Sequence, residues 1–159
     1  MKLTALLLAM GMACGPAFAQ TGASPVDGDW IGKGAFQLGP DILACAEIKM
    51  KFVGTPALYG VRDGSIICES VTQAFPMHDD FEIKPNSDVY YKGQHVGNIV
   101  GNKLTVLVPG PDESGTEFTL RREGELLFYN EVSGKPGQPP AFGMVAIMKK
   151  DPNAAPTRP

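Results

Sequence analysis

The sequence has few of the residues on which enzyme chemistry usually depends. It contains two histidines and three cysteines in 159 residues. It has no G-x-S-x-G motif and no C-x-x-C pair. A serine or cysteine nucleophile needs an adjacent base, and only His78 and His95 are present to serve as one. We therefore predict no catalytic residues and a protein that is not an enzyme.

Long helical patterns are also missing. Outside the first 19 residues, apolar side chains at helical spacing never continue for about twelve residues. The apolar run from Leu3 to Met12 is too short to cross a bilayer, and Gly15 and Pro16 follow it. The sequence therefore predicts no membrane-spanning segment.

Residues 1–19 have the build of a secretory signal peptide. Lys2 gives the charged start, an apolar run follows, and Ala17 and Ala19 form an A-x-A pattern before Gln20. We predict cleavage after Ala19 and a periplasmic or secreted location for the mature chain.

The three cysteines have different predicted roles. Cys14 ends the apolar run, where a cysteine can carry a lipid, although the residues before it lack the branched aliphatic side chain of that signal. Cys45 and Cys68 remain in the mature chain, and an oxidising compartment lets a bridge between them persist. We predict a Cys45–Cys68 disulfide, the alternative being two free buried thiols.

The stretch from Ala44 to Val53 has the clearest strand pattern, because its side chains alternate between two faces. The row expected to face the core consists of Ala44, Ala46, Ile48, Met50 and Phe52. The row expected to face solvent consists of Cys45, Glu47, Lys49 and Lys51. The first cysteine is therefore expected on the outer, polar side.

Residues 20–150 are predicted to form one domain, and the proline-rich residues 151–159 a disordered tail. About nine to ten short strands follow one another with turn residues between them. The turns are predicted at Asp63-Gly64, Gly101-Asn102 and Glu123-Gly124, and residues 72–80 are predicted to be irregular. The fold class is all-β: a single antiparallel up-and-down barrel of about eight to ten strands, with a two-sheet sandwich as the alternative.

The charged residues do not indicate a nucleic-acid interface, a metal site or an acidic catalytic site. The chain has 14 basic and 17 acidic residues without a basic stripe, which argues against nucleic acid as a partner. The segment Met77-His78-Asp79-Asp80 holds several ligand types, but consecutive loop residues rarely converge on one ion, so we predict no metal and no cofactor. Glu69 and Glu131 lie within strands and are expected on the outer face, the alternative being that one of them points inward.

Apolar and aromatic residues remain as candidates for ligand binding. In a small barrel they either fill the interior or line a pocket at one mouth. The candidate lining residues are Trp30, Met50, Phe52, Tyr59, Tyr91, Phe118, Phe128 and Met144.

The Gly28-x-Trp30 pattern at the start of the first predicted strand resembles lipocalins and other calycins. This resemblance implies an eight-stranded barrel with an apolar ligand in its cup. It also implies an arginine that packs on Trp30 near the last strand, whereas Arg121 and Arg122 come two strands earlier.

The order Trp30, Cys45, Cys68 is similar to that of bacterial periplasmic inhibitors of secreted metalloproteases. This second resemblance implies an eight-stranded barrel with one disulfide, and an N-terminal arm, here Gln20 to Asp27, that enters the protease cleft. From the two resemblances and the residue pattern, we expect an exported binding protein for a small apolar molecule or lipid. The alternative is a module that binds a protein partner or inhibits a hydrolase, and the oligomeric state is not predicted.

Overall fold

The computed structural model describes residues 26–75 and 77–154, and the signal peptide, Cys14 and most of the N-terminal arm lie outside these ranges. The described residues form eleven strands and no helix, and hence no helix that could cross a membrane. In chain order the strands are β1 (Gly28–Leu38), β2 (Asp41–Thr55), β3 (Leu58–Cys68), β4 (Thr72–Phe75), β5 (Asp79–Ile83), β6 (Asp88–Tyr91), β7 (Gln94–Val100), β8 (Lys103–Pro109), β9 (Gly115–Glu123), β10 (Leu126–Gly134) and β11 (Phe142–Lys150).

Ten of these strands form a closed antiparallel ring. Neighbours in the ring are neighbours in sequence, with two exceptions: β3 pairs with β5, and β11 pairs with β1 to close the barrel. The remaining strand, β4, pairs with the second half of β3. The predicted up-and-down barrel is confirmed, although its ten strands differ from the eight that both resemblances imply.

Strand β2 confirms part of the predicted alternation and reverses the rest. Three inner-row residues are buried as predicted: Ile48, Met50 and Phe52. Between Cys45 and Glu47, β2 has one residue more than its partner β3. This β-bulge exchanges the two faces of the strand. Cys45 is consequently buried and Ala44 and Ala46 are exposed, so the prediction that Cys45 lies on the outer, polar row is wrong.

The predicted disulfide is present. Cys45 and Cys68 are direct partners in the pairing of β2 with β3, and their sulfur atoms are bonded. Because both cysteines are buried in the core, the bridge joins the two strands from the inside of the barrel.

Strand β3 continues through Asp63 and Gly64, so the prediction of a turn at these residues is wrong. Gly64 lies opposite Phe75 of β4, and a Cβ atom at Gly64 would lie 2.0 Å from the Phe75 ring. The glycine thus makes room for an aromatic ring rather than for a turn. Strand β4 occupies part of the segment predicted to be irregular, whereas Gly101 and Gly124 form turns as predicted, with φ angles of 59° and 57°.

The interior of the barrel is filled by apolar side chains rather than hollow. Trp30, Met50, Phe52 and Met144 are each at most 2% exposed. Rings of adjacent strands contact one another, as Phe52 does with Tyr59 at a centroid separation of 5.7 Å. Four predicted lining residues therefore belong to the packed core.

Trp30 anchors one end of this core. Its indole N–H donates a 2.7 Å hydrogen bond to the carbonyl oxygen of Val26. The Lys150 ammonium lies 4.4 Å from the ring centroid, and the Arg122 guanidinium lies 5.9 Å from it. Arg122 thus contacts Trp30 across the end of the barrel, although it lies two strands before the last one.

Candidate functional site at the barrel mouth

A small pocket opens at the end of the barrel opposite Trp30. The alternation of β10 aims Glu131 inward, in the same row as the buried Tyr129 and Leu127. Asp79 and Phe81 on β5, and Met77 just before it, project into the same space. The pocket has a volume of about 160 Å³ and is lined by Val61, Met77, Asp79, Phe81, Tyr91, Val108, Thr116, Phe118, Tyr129 and Glu131. We call it the mouth pocket.

Glu131 is an acidic side chain held in a largely apolar setting. Burial raises its pKa above the ordinary value of 4.5, the hydrogen bond from Tyr129 opposes the increase, and the negative charge of Asp79 adds to it. The Tyr129 hydroxyl donates to Glu131 Oε2 at 2.6 Å. The prediction that Glu131 lies on the outer face is wrong, whereas Glu69 is exposed as predicted.

Asp79 is the second carboxyl of the mouth pocket. The Tyr91 hydroxyl donates to its Oδ1 at 2.7 Å, which parallels the Tyr129–Glu131 pair. The neighbouring Asp80 points away and pairs with Arg62 at 2.6 Å. Within the described ranges no group of three or more metal-ligating side chains is assembled, and Asp79 serves the pocket through its contact with a tyrosine.

Tyr59 lies behind the mouth pocket and places a polar atom in the core. Its ring contacts those of Phe81 and Phe118, both of which line the pocket. Its hydroxyl is fully buried and has no hydrogen-bond partner among the described residues. Burial raises the pKa of Tyr59 well above 10.0, and the charge of Glu131 adds to the increase.

The predicted lining residues fall into three groups. Tyr91 and Phe118 line the mouth pocket, with Tyr59 directly behind them. Four others fill the core. Phe128 alternates with the buried Leu127 and Tyr129 and lies on the outer surface, so its predicted interior placement is wrong. Sequence reasoning named Glu131 but favoured the wrong face for it, although its spacing of two from Tyr129 places both on one face of a strand.

A second and larger depression lies on the outer surface of the sheet. This outer groove has a volume of about 710 Å³ and is lined by side chains that include Lys33, Lys103, Phe128 and Ile147. Arg121 also lines it, but its charge is compensated by Glu123 at 2.6 Å. The basic side chains of the outer groove are exposed, whereas the two carboxyls of the mouth pocket are half-buried and held by hydrogen bonds from tyrosines.

The raised pKa of Glu131 predicts how stability depends on pH. Between pH 4.5 and its higher folded pKa, the folded protein binds more protons than the unfolded chain. The contribution of Glu131 to stability is therefore complete below pH 4.5 and is lost as the pH rises through the folded pKa. Glu131→Gln should gain stability relative to the wild type as the pH rises from 4.5 to neutral, as measured by urea denaturation at a series of pH values.

Glu117→Gln is the matched control, since Glu117 lies on the exposed face of β9 beside Phe118. The titratable groups that surround Glu131 are Asp79, Tyr59 and Tyr129, together with Tyr91 across the pocket. A difference between Glu131→Gln and the wild type that does not change with pH would contradict the buried environment of Glu131.

The comparisons with known proteins give a structural likeness but no family. No family model matches the chain, and no curated protein matches it. The chain is similar to the crystal structure of Rv2717c from M. tuberculosis, with a TM-score of 0.46 and 16% identity, over 80% of this chain and 94% of that chain. The assignment of the mouth pocket therefore rests on the residues of this chain.

Proposed function

We propose that the protein is a non-enzymatic binding protein that takes a small organic ligand into the mouth pocket. The observation that carries the proposal is a pocket with aromatic walls and a few convergent polar groups, which is the usual composition of a ligand site. Tyr129 and Tyr91 hold the two carboxyls in fixed positions, so the polar groups are oriented before a ligand arrives.

The size of the pocket restricts the ligand. A dry cavity of about 150 Å³ in another protein binds benzene, and the mouth pocket has about 160 Å³. One ring with a short substituent is thus the expected scale. The lipid that the sequence also suggested is larger than this space, so the proposal is limited to small molecules.

Benzyl alcohol is a suitable probe of this proposal, because it combines one ring with one hydroxyl. We expect it to shift the backbone amide signals of Phe118 and Glu131 in NMR titrations, with a dissociation constant of roughly 1 mM for so small a molecule. Val108→Trp should abolish these shifts by filling the pocket. Val100→Trp is the matched control, since Val100 is 67% exposed. Shifts that persist in Val108→Trp would contradict the proposal, and so would a lack of shifts in the wild type with both benzyl alcohol and its charged one-ring analogues.

The alternative is a module that inserts its N-terminal arm, Gln20 to Asp27, into a hydrolase. The structure describes only Val26 and Asp27 of that arm, and both are attached to the barrel. Val26 accepts the Trp30 hydrogen bond, and the Asp27 carboxylate accepts one from the Gly54 amide at 2.9 Å. This attachment is at the end opposite the mouth pocket, so deletion of residues 20–25 should leave benzyl alcohol binding unchanged and remove only arm-dependent binding of a partner.

Export to the periplasm or the medium is part of the same proposal. The pattern of residues 1–19 supports it, and a disulfide such as Cys45–Cys68 persists in oxidising compartments. Mass spectrometry of the mature protein from its own host should give an N-terminus at Gln20, whereas retention of residues 1–19 would contradict export by a cleaved signal.

A further inference from the structure

We propose that the ligand of the mouth pocket is a small organic cation, a protonated amine carried on a body of about one ring. This inference rests on the proposed function and adds the chemical class of the ligand. It is carried by the hydrogen-bonding groups that the pocket presents and by its two carboxyls, which have no cationic partner in the part of the chain that the structure describes.

Every polar side chain that lines the mouth pocket is a hydroxyl or a carboxyl. Tyr129 and Tyr91 use their hydroxyl protons on Glu131 and Asp79, and Thr116 shares a 2.7 Å hydrogen bond with Ser133. The capacity that remains on the tyrosine oxygens and ionised carboxylates is acceptor capacity. A ligand that binds the two carboxylates must therefore supply donors to them, and an ammonium group supplies three.

Among the described residues, the two carboxyls have no basic side chain as an ion-pair partner. In residues 26–75 and 77–154, no lysine, arginine or histidine nitrogen lies within salt-bridge distance of Asp79 or Glu131. Arg62, the basic residue on the neighbouring strand, contacts the Asp79 backbone carbonyl but pairs with the carboxylate of Asp80. Two acids that face one small space without a counter-charge favour a cation from outside.

The buried Tyr59 hydroxyl is an independent indication of a missing group. Buried hydroxyls are normally hydrogen-bonded, and this one has no partner in the described part of the chain. The Tyr59 ring contacts the lining rings of Phe81 and Phe118. A residue with an unsatisfied polar atom therefore lies directly behind the mouth pocket.

The walls of the pocket suit a cation as well as an apolar body. Phe81 contacts both Tyr91 and Phe118, at centroid separations of 5.0 and 5.2 Å, so the rings form a continuous aromatic lining. The faces of such rings attract ammonium groups. An anionic ligand would meet the two carboxyls and no basic side chain of the lining, which disfavours it.

The test compares three probes that share one ring: benzylammonium, benzyl alcohol and benzoate. We expect benzylammonium to bind wild-type protein about tenfold more tightly than benzyl alcohol, since hydrogen bonds to charged groups are the stronger ones, and benzoate not to bind. Titration by NMR at neutral pH gives all three dissociation constants and shows whether the mouth residues shift. The comparison needs no variant, and Glu131→Gln and Asp79→Asn should each reduce the preference for the cation.

Glu117→Gln makes the same change of charge on the outer face and should keep the full preference. If benzyl alcohol shifts the mouth residues and benzylammonium binds no more tightly, the cation inference is overturned and the proposed function stands. If no probe shifts the mouth residues, both are overturned. A preference that survives in both Glu131→Gln and Asp79→Asn also overturns the inference, because it places recognition elsewhere.

Discussion

Trp30→Ala should lower the free energy of unfolding by about 3–5 kcal/mol, the range measured when a buried tryptophan or phenylalanine is truncated to alanine. Trp30 is 1% exposed and belongs to the same core as Met50 and Met148. Its removal leaves a large cavity, the Val26 carbonyl without its donor, and Lys150 without its aromatic partner. Urea denaturation followed by circular dichroism measures the effect.

Trp30→Phe separates the volume of the side chain from its hydrogen bond. Phenylalanine keeps most of the ring contacts but cannot donate a hydrogen bond to Val26. Trp30→Phe should therefore lower the free energy of unfolding by less than half as much as Trp30→Ala. If the free energy of unfolding of Trp30→Ala lies within about 1 kcal/mol of the wild-type value, the side chain does not stabilise the core as its burial indicates.

Loss of the disulfide should have the second large effect. Cys45 and Cys68 are separated by 23 residues, and opening a loop of this length should cost roughly 3 kcal/mol by the chain-entropy model. The Cys45→Ala/Cys68→Ala double variant should show this loss in urea denaturation. Because both sulfurs are buried, part of its effect will come from lost packing.

Reduction of the wild type isolates the contribution of the bridge, since the sulfur atoms stay in place. The reduced wild type should lose most of the same stability, while the double variant should not respond to reductant. Equal unfolding midpoints for oxidised and reduced wild type, or two alkylatable thiols in the unreduced mature protein, would contradict the bridge.

The sequence predicts the fold class better than the faces of individual strands. Ile48, Met50 and Phe52 identify β2 and its inner row, because a strand repeats every two residues. The bulge after Cys45 is invisible in the sequence, since Ala44 and Ala46 on either side are small enough for both faces. A single inserted residue then reverses the assignment of the cysteine while leaving the disulfide prediction intact.

Contacts between distant segments explain the other errors. Asp63-Gly64 is a strong local turn signal, but the glycine is required by Phe75, which only the fold brings alongside it. A polar residue such as Glu131 is expected to face solvent. Its spacing of two from Tyr129 places both on one face of β10, but the packing of the barrel decides that this face points inward.

The pairing of β1 with β11 has a consequence for the nascent chain. Because β11 is the final strand, the barrel formed by residues 28–134 can close only after Phe142–Lys150 has been synthesised. Until then, β1 and β10 each present a free edge of backbone groups that can template association between chains. Truncation before residue 142 would thus leave an open sheet with two unpaired edge strands. We expect such a chain to self-associate rather than to lose only a little stability.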